Sequence, residues 1–162
     1  MSDPRPLWHG GVPGLQIGDL LEPGNSRNNR HPGCPVCAAR ARGETYQRDG
    51  HGMDPPSSHP DHVYLTHERL YALFHASLYG RGDLYLAAPI GEVEVSDEDP
   101  FPTVHAPSAR IVAAPRRAVL LRPSERRKLA VAWGAIEGVS RGAALAEHRR
   151  MMADLVNRGG AL

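Results

Sequence analysis

The sequence predicts a mixed α+β domain with a helical C-terminus, on three observations. Short apolar runs of strand character recur between turn residues, and 17 Gly and 15 Pro in 162 residues supply the turns that short strands need. One segment around Leu73 carries apolar residues at helical spacing. The chain from Pro123 onward reads as helix, interrupted once by glycines.

The elements follow in order. Leu7-Trp8-His9-Gly10-Gly11 is an apolar-aromatic run ending in a turn, which makes a first strand and sets the His9 imidazole at a sheet rim. Gly18-Asp19 marks a turn soon after. Residues 25–60 show no sustained apolar period. They are polar over 25–30 and Gly/Pro/Ser/His-rich over 49–60, so they are expected to form a long loop or insertion. Val63-Tyr64-Leu65-Thr66 is a second strand. Thr66 is the expected cap of a helix with Glu68 in its first turn and Leu70, Leu73, Phe74, Ser77 and Leu78 as its apolar stripe. Gly80 is expected to end that helix. Residues 84–88 and 92–95 read as strands joined at Pro89-Ile90-Gly91. Residues 110–112 and 118–121 read as two more, with Pro115-Arg116 between them. Ser124 is the expected cap of a C-terminal helix, broken over 138–142. A second helix is expected over about 143–156, closing at Asn157-Arg158-Gly159-Gly160. No internal repeat is present.

Bulk properties narrow the function classes. The length suits one domain with a sizeable core, and a net charge of +1 gives no electrostatic mandate for nucleic acid. No apolar run approaches a membrane span, and Met1-Ser2-Asp3-Pro4 lacks a signal peptide's apolar region, so a cytoplasmic monomer is expected. Lys128 is the one lysine among 19 basic residues, a skew that reflects GC-rich coding before chemistry. Arg126, Arg127, Arg149 and Arg150 read as a solvated helix face.

Histidine, tyrosine and an acid on successive strands form a constellation that can cleave a glycosidic bond to a cationic leaving group. His9 offers one donor and one acceptor to a sugar hydroxyl. Tyr64 offers a ring face to a cationic heterocycle, an attraction of about 1 kcal/mol. Glu94, Asp97, Glu98 and Asp99 offer carboxylates after the second strand pair. The bland readings are a rim histidine, a half-buried strand tyrosine and solvated loop acids. Tyr71 and Tyr85 read as packing residues. Neither a G-x-G-x-x-G nor a Walker pattern occurs.

The pieces Trp8-His9-Gly10, Gly18-Asp19-Leu20-Leu21-Glu22-Pro23-Gly24, His62-Val63-Tyr64-Leu65-Thr66, Gly80-Arg81-Gly82 and Pro89-Ile90-Gly91 occur in this order. Together they resemble the rifamycin ADP-ribosyltransferase family of the His-Tyr-Asp/Glu ADP-ribosyltransferase superfamily. The resemblance spans roughly residues 7–121 with one insertion, and no single piece is specific alone. It implies an ADP-ribosyltransferase-like split β-sheet core over residues 1–122, an insertion at about 25–60, and a helical extension over 123–162. It implies transfer of ADP-ribose from NAD to a hydroxyl of a small molecule, in this family a rifamycin-type antibiotic, which confers resistance. His9 and Tyr64 then hold nicotinamide riboside, and Gly10 and Gly11 let backbone approach the dinucleotide. The family's acid position, counted without gaps, falls on Ser96. Asp97, one residue along, is therefore the expected catalytic carboxylate, with Glu94 the second choice. Two further readings stay open: an NAD-dependent RNA 2′-phosphotransferase-like enzyme, and a non-catalytic binding module with a metal-held loop.

Cys34-Pro35-Val36-Cys37 stands apart from this pattern. With His31, His51, His59 and His62 nearby in sequence it offers ligands for tetrahedral zinc, which would order a polar loop. The spacing fits no standard finger, and the other reading is a lid carrying reduced cysteines.

Overall fold

A seven-stranded sheet, antiparallel at every pairing, organises the chain in the order β2-β9-β6-β1-β5-β8-β7. The computed structural model describes residues 5–23, 35, 38–39, 42, 44, 46–48, 51–53, 59, 61–78 and 81–159. The strands are β1 (Trp8–Gly11), β2 (Leu20–Leu21), β3 (Tyr46–Arg48), β4 (His51–Met53), β5 (Val63–Thr66), β6 (Asp83–Ile90), β7 (Glu94–Ser96), β8 (Thr103–Ala106) and β9 (Ser108–Arg116). The helices among the described residues are α1 (Arg69–Leu78), α2 (Pro123–Ile136) and α3 (Arg141–Gly159). The α+β class and the helical C-terminus are as the sequence predicts.

One face of the sheet carries a buried apolar cluster. Leu21 of β2, Val63 and Leu65 of β5, Tyr85 and Ala87 of β6, and Ala109 and Ile111 of β9 form one apolar cluster. In the ladder, β9 and β6 carry the cluster from Leu21 of β2 toward Val63 and Leu65 of β5. The pairing of β6 with β9 shifts register between Leu84 and Ala87, an irregularity of the kind that increases local twist.

The opposite face carries α1. Ala72, Leu73 and Ala76 pack with Leu84 and Val119, flanked by Trp8, Leu70 and Leu121. The helix lies almost on the strand backbone: a Cβ on Gly10 would stand 1.7 Å from the Ala72 carbonyl oxygen, and one on Gly82, just before β6, would stand 2.6 Å from the Ala76 carbonyl oxygen. Glycine at these positions and alanine on the helix are one packing solution. The buried stripe of α1 is accordingly rotated from the expected one. Tyr71, Ala72, Leu73 and Ala76 are buried, whereas Leu78 is 62% exposed.

Several expected boundaries move. Thr66 ends β5 instead of capping α1; its Oγ accepts from the Glu68 amide and donates to the Pro102 carbonyl. The expected strand over 118–121 is absent: Ala118 has φ of 48°, and the Val119 amide donates to the Gly82 carbonyl. Instead β9 runs through Pro115, because β2 pairs with β9 only at Ala109 and Arg110 and leaves the Pro115 end without that partner. β6 and β7 do not pair; β7 stands at the far edge beside β8, a strand the sequence reading missed. α2 begins with Pro123 in its first turn, and Glu125 accepts from the Arg122 amide, so Ser124 is not the cap. The residues expected to form a loop over 25–60 include the β3–β4 hairpin, with Tyr46 opposite Met53. Three-residue strands are too short to show alternation; Asp49-Gly50 between them was the available hairpin signal. Gly80, expected to end α1, lies outside the described residues.

α2 joins the sheet through an aromatic cluster. Trp133 and Leu129 pack with Tyr71, Phe74 and Phe101. α3 rests on α2, where Gly134 leaves room for Ala144. No described helix is long and apolar enough to cross a membrane.

Candidate active site

His9 and Tyr64 stand on the neighbouring strands β1 and β5, and Glu98 in the loop beyond β7; the His9 ring lies on the sheet face of Tyr85 and Leu65, and Tyr64, alternating with Leu65, turns its ring to the other. β1 pairs with β5 at Trp8 and Thr66, which sets His9 one residue from that pairing and Tyr64 two. His9 Nδ1 lies 2.9 Å from the Tyr64 carbonyl oxygen. A carbonyl only accepts, so Nδ1 carries the proton and Nε2 is the acceptor of the neutral ring. The bond thus selects both tautomer and orientation. Gly11 completes the pose, because a Cβ there would stand 2.5 Å from His9 Nε2. On the other flank the imidazole lies roughly parallel to the fully buried Tyr85, with centroids 6.4 Å apart at 22°.

The Tyr64 hydroxyl donates to Glu98 Oε1 at 2.8 Å and accepts from the His59 amide at 3.3 Å. The acidic loop is built to present that carboxylate. Ser96, only 9% exposed, accepts from the Glu98 amide through Oγ and donates to Asp99 Oδ2. Asp99 in turn accepts from the Tyr71 hydroxyl at 2.8 Å, and burial followed by the Asp99 contact pushes that phenol well above its ordinary range. Ser96 therefore organises the loop, and Asp99 is committed to structure. Glu94, Asp97 and Glu98 are all exposed, and of the three it is Glu98 that bonds the Tyr64 hydroxyl. A carboxylate's place in a bonded loop depends on turn geometry, which counting along the chain does not capture.

The space that a side chain on Gly10 would take is occupied by α1, so packing alone already requires glycine there. The Gly18-Asp19 piece is a structural hook. Gly18 has φ of 93°, Asp19 accepts from the Gln16 amide, and the Gly18 and Ile111 amides tie the turn to β9.

Asp83 is a residue the sequence reading missed. It sits opposite Gly11 in the ladder and is 2% exposed. Its carboxylate accepts from the Gly14 and Ala118 amides and from the Arg117 guanidinium at 2.6 Å, with the Tyr85 hydroxyl oxygen 3.2 Å away. Burial alone would raise its pKa, but the Arg117 bond and the two amides outweigh it and hold the carboxyl below its ordinary value. Tyr85 adds bonds to the Val12 carbonyl and the Leu15 amide. Together they pin residues 12–15 beside His9.

Cys34, Cys37 and His31 lie outside the described residues, as does the side chain of His51. His59 and His62 instead meet His105 of β8, whose strand was not anticipated. A hollow of about 310 Å³ on α3, between Glu147, Arg150, Met151, Asp154 and Leu155, is walled by one helix and bears on none of these groups. Comparison with known proteins finds no matching family profile, no matching curated protein and no matching solved structure.

Proposed function

We propose that the protein is an NAD-dependent mono-ADP-ribosyltransferase that modifies a hydroxyl of a small molecule. The observation that carries this reading is the double hold on Tyr64, by His9 at its carbonyl and by Glu98 at its hydroxyl. It links, through the backbone and the hydroxyl of one residue, an imidazole that can bind a hydroxyl, an aromatic ring and a carboxylate, the three groups that the chemistry needs.

In the proposed reaction the bond between ribose C1′ and the nicotinamide nitrogen breaks, and nicotinamide leaves neutral with the bonding pair. The acceptor hydroxyl oxygen bonds to C1′ and its proton is released. His9, protonated at Nδ1, accepts a ribose hydroxyl at Nε2. Tyr64 stacks on the pyridinium, a cation–π contact of about 1 kcal/mol. Glu98 takes the part expected of Asp97 or Glu94 and stabilises the oxocarbenium-like ribose as its charge develops. The antibiotic-like acceptor rests on the sequence resemblance.

The test is incubation with NAD and rifampicin, followed by mass analysis of nicotinamide and drug. The reading expects free nicotinamide and a drug heavier by one ADP-ribose. Unchanged NAD and drug, with the protein folded, would reject it.

A further inference from the structure

The turn before β5 and the middle of β8 bring three imidazoles together. The His62 amide donates to the His59 carbonyl at 3.0 Å, closing a turn that stacks the two rings with centroids 5.6 Å apart at 15°. Both rings face His105, with centroids at 4.2 Å from His59 and 4.9 Å from His62. One potential ligand nitrogen from each residue lies within 4.8 Å of the other two. His105 is 2% exposed, while His59 and His62 are half-buried. His62 Nδ1 and His105 Nδ1 stand 2.8 Å apart, so one ring donates and the other presents a lone pair.

We infer that His59, His62 and His105 form a binding site for a divalent transition-metal ion of the zinc type. The argument is chemical and geometric. Imidazole nitrogen is a preferred ligand for such ions and a poor one for calcium or magnesium. Zinc–nitrogen bonds of about 2.1 Å at tetrahedral angles separate ligand atoms by about 3.4 Å. As they stand the three rings are stacked, with their in-plane lone pairs side by side, so coordination requires the half-buried His59 and His62 to change rotamer about His105 of β8. Three protein ligands leave one coordination position to solvent, as in zinc sites that hold water.

The site adjoins the proposed active centre without sharing its residues. His105 pairs with Tyr64 across β5 and β8, and their rings lie 5.4 Å apart. The His59 amide donates to the Tyr64 hydroxyl. A bound ion would therefore clamp the 59–62 turn onto β8 and hold the donor that orients that hydroxyl. His59, His62 and His105 act as metal ligands and positioning residues.

The experiment uses the full chain, stripped with a chelator and then titrated with zinc by calorimetry and with cobalt(II) by visible absorption. One equivalent is expected to bind through these rings, with a tetrahedral cobalt spectrum and a zinc-dependent rise in melting temperature. H62A and H59A, both at half-buried positions, should weaken binding by more than about 100-fold, beyond the usual effect of altering a residue behind the ligands. H105A should do the same where circular dichroism shows it folded. C34S/C37S should leave this binding intact. Wild-type affinity in H62A and H59A would overturn the site. So would loss of binding in C34S/C37S with a thiolate-to-cobalt charge-transfer band, or no binding by the unaltered chain. These readouts do not depend on NAD turnover.

Discussion

The Tyr64 hydroxyl donates to Glu98 Oε1 at 2.8 Å, across a gap of 34 residues. That bond singles out one carboxylate among four closely spaced acids. E98Q is predicted to lower nicotinamide release by at least about 100-fold, the usual cost of losing one preorganised electrostatic group. D97N and E94Q should stay within a few-fold of wild type. Initial rates at saturating NAD make the comparison, and a D97N defect larger than that of E98Q would reassign the acid.

Adjacent glycines are predicted to fail in different ways. G10A drives a methyl into the Ala72 carbonyl and should destabilise the fold by about 3 kcal/mol or more in urea unfolding. G11A meets the tip of the His9 ring, a side chain that can swing away. It should leave the urea midpoint nearly unchanged and weaken NAD binding by displacing the imidazole. Equal stability losses in both variants would contradict this division.

Asp83 should set part of the acid sensitivity. Its folded pKa lies below the ordinary value of 3.8, so its contribution is present above that pH and is lost as the pH falls through the lower, folded value. D83N removes this dependence. At neutral pH the variant is predicted to lose about 2 kcal/mol, because buried amides give up a charged acceptor. Urea unfolding at pH 7 and pH 3 should show the gap between wild type and variant closing at the lower pH. A constant gap would show that the carboxylate's charge is not what stabilises this corner.

The tail is predicted to be integral to stability through Trp133, which meets Tyr71, Phe74 and Phe101 edge to face. W133A should cost about 3 kcal/mol. Thermal unfolding checks this, and an unchanged midpoint would show that α2 is only appended.

What the sequence made legible follows from where the information is local. The first strand, the glycine turn and the helix after β5 were readable, because each is written in neighbouring residues. So were the strand positions of His9 and Tyr64, each bounded by turn residues. The contact of Glu98 with Tyr64 was not readable, because it depends on Ser96 and Asp99 bonding within one loop. His105 was missed with its strand, since Thr103-Val104-His105-Ala106 alternates too weakly to stand out beside Pro102 and Pro107. The rotated face of α1 depends on Gly10 and Gly82 lying against the helix backbone, a long-range contact that no helical period encodes.

The most direct test is single-turnover nicotinamide release from NAD in the presence of rifampicin, for the wild type, H9A, Y64A and E98Q. Residues that work as one unit lose activity together and non-additively. The prediction is rapid release by the wild type, near-complete loss in each single variant, and little further loss in H9A/Y64A. Wild-type rates in folded H9A and Y64A would contradict the claim that these side chains act on a single ribose.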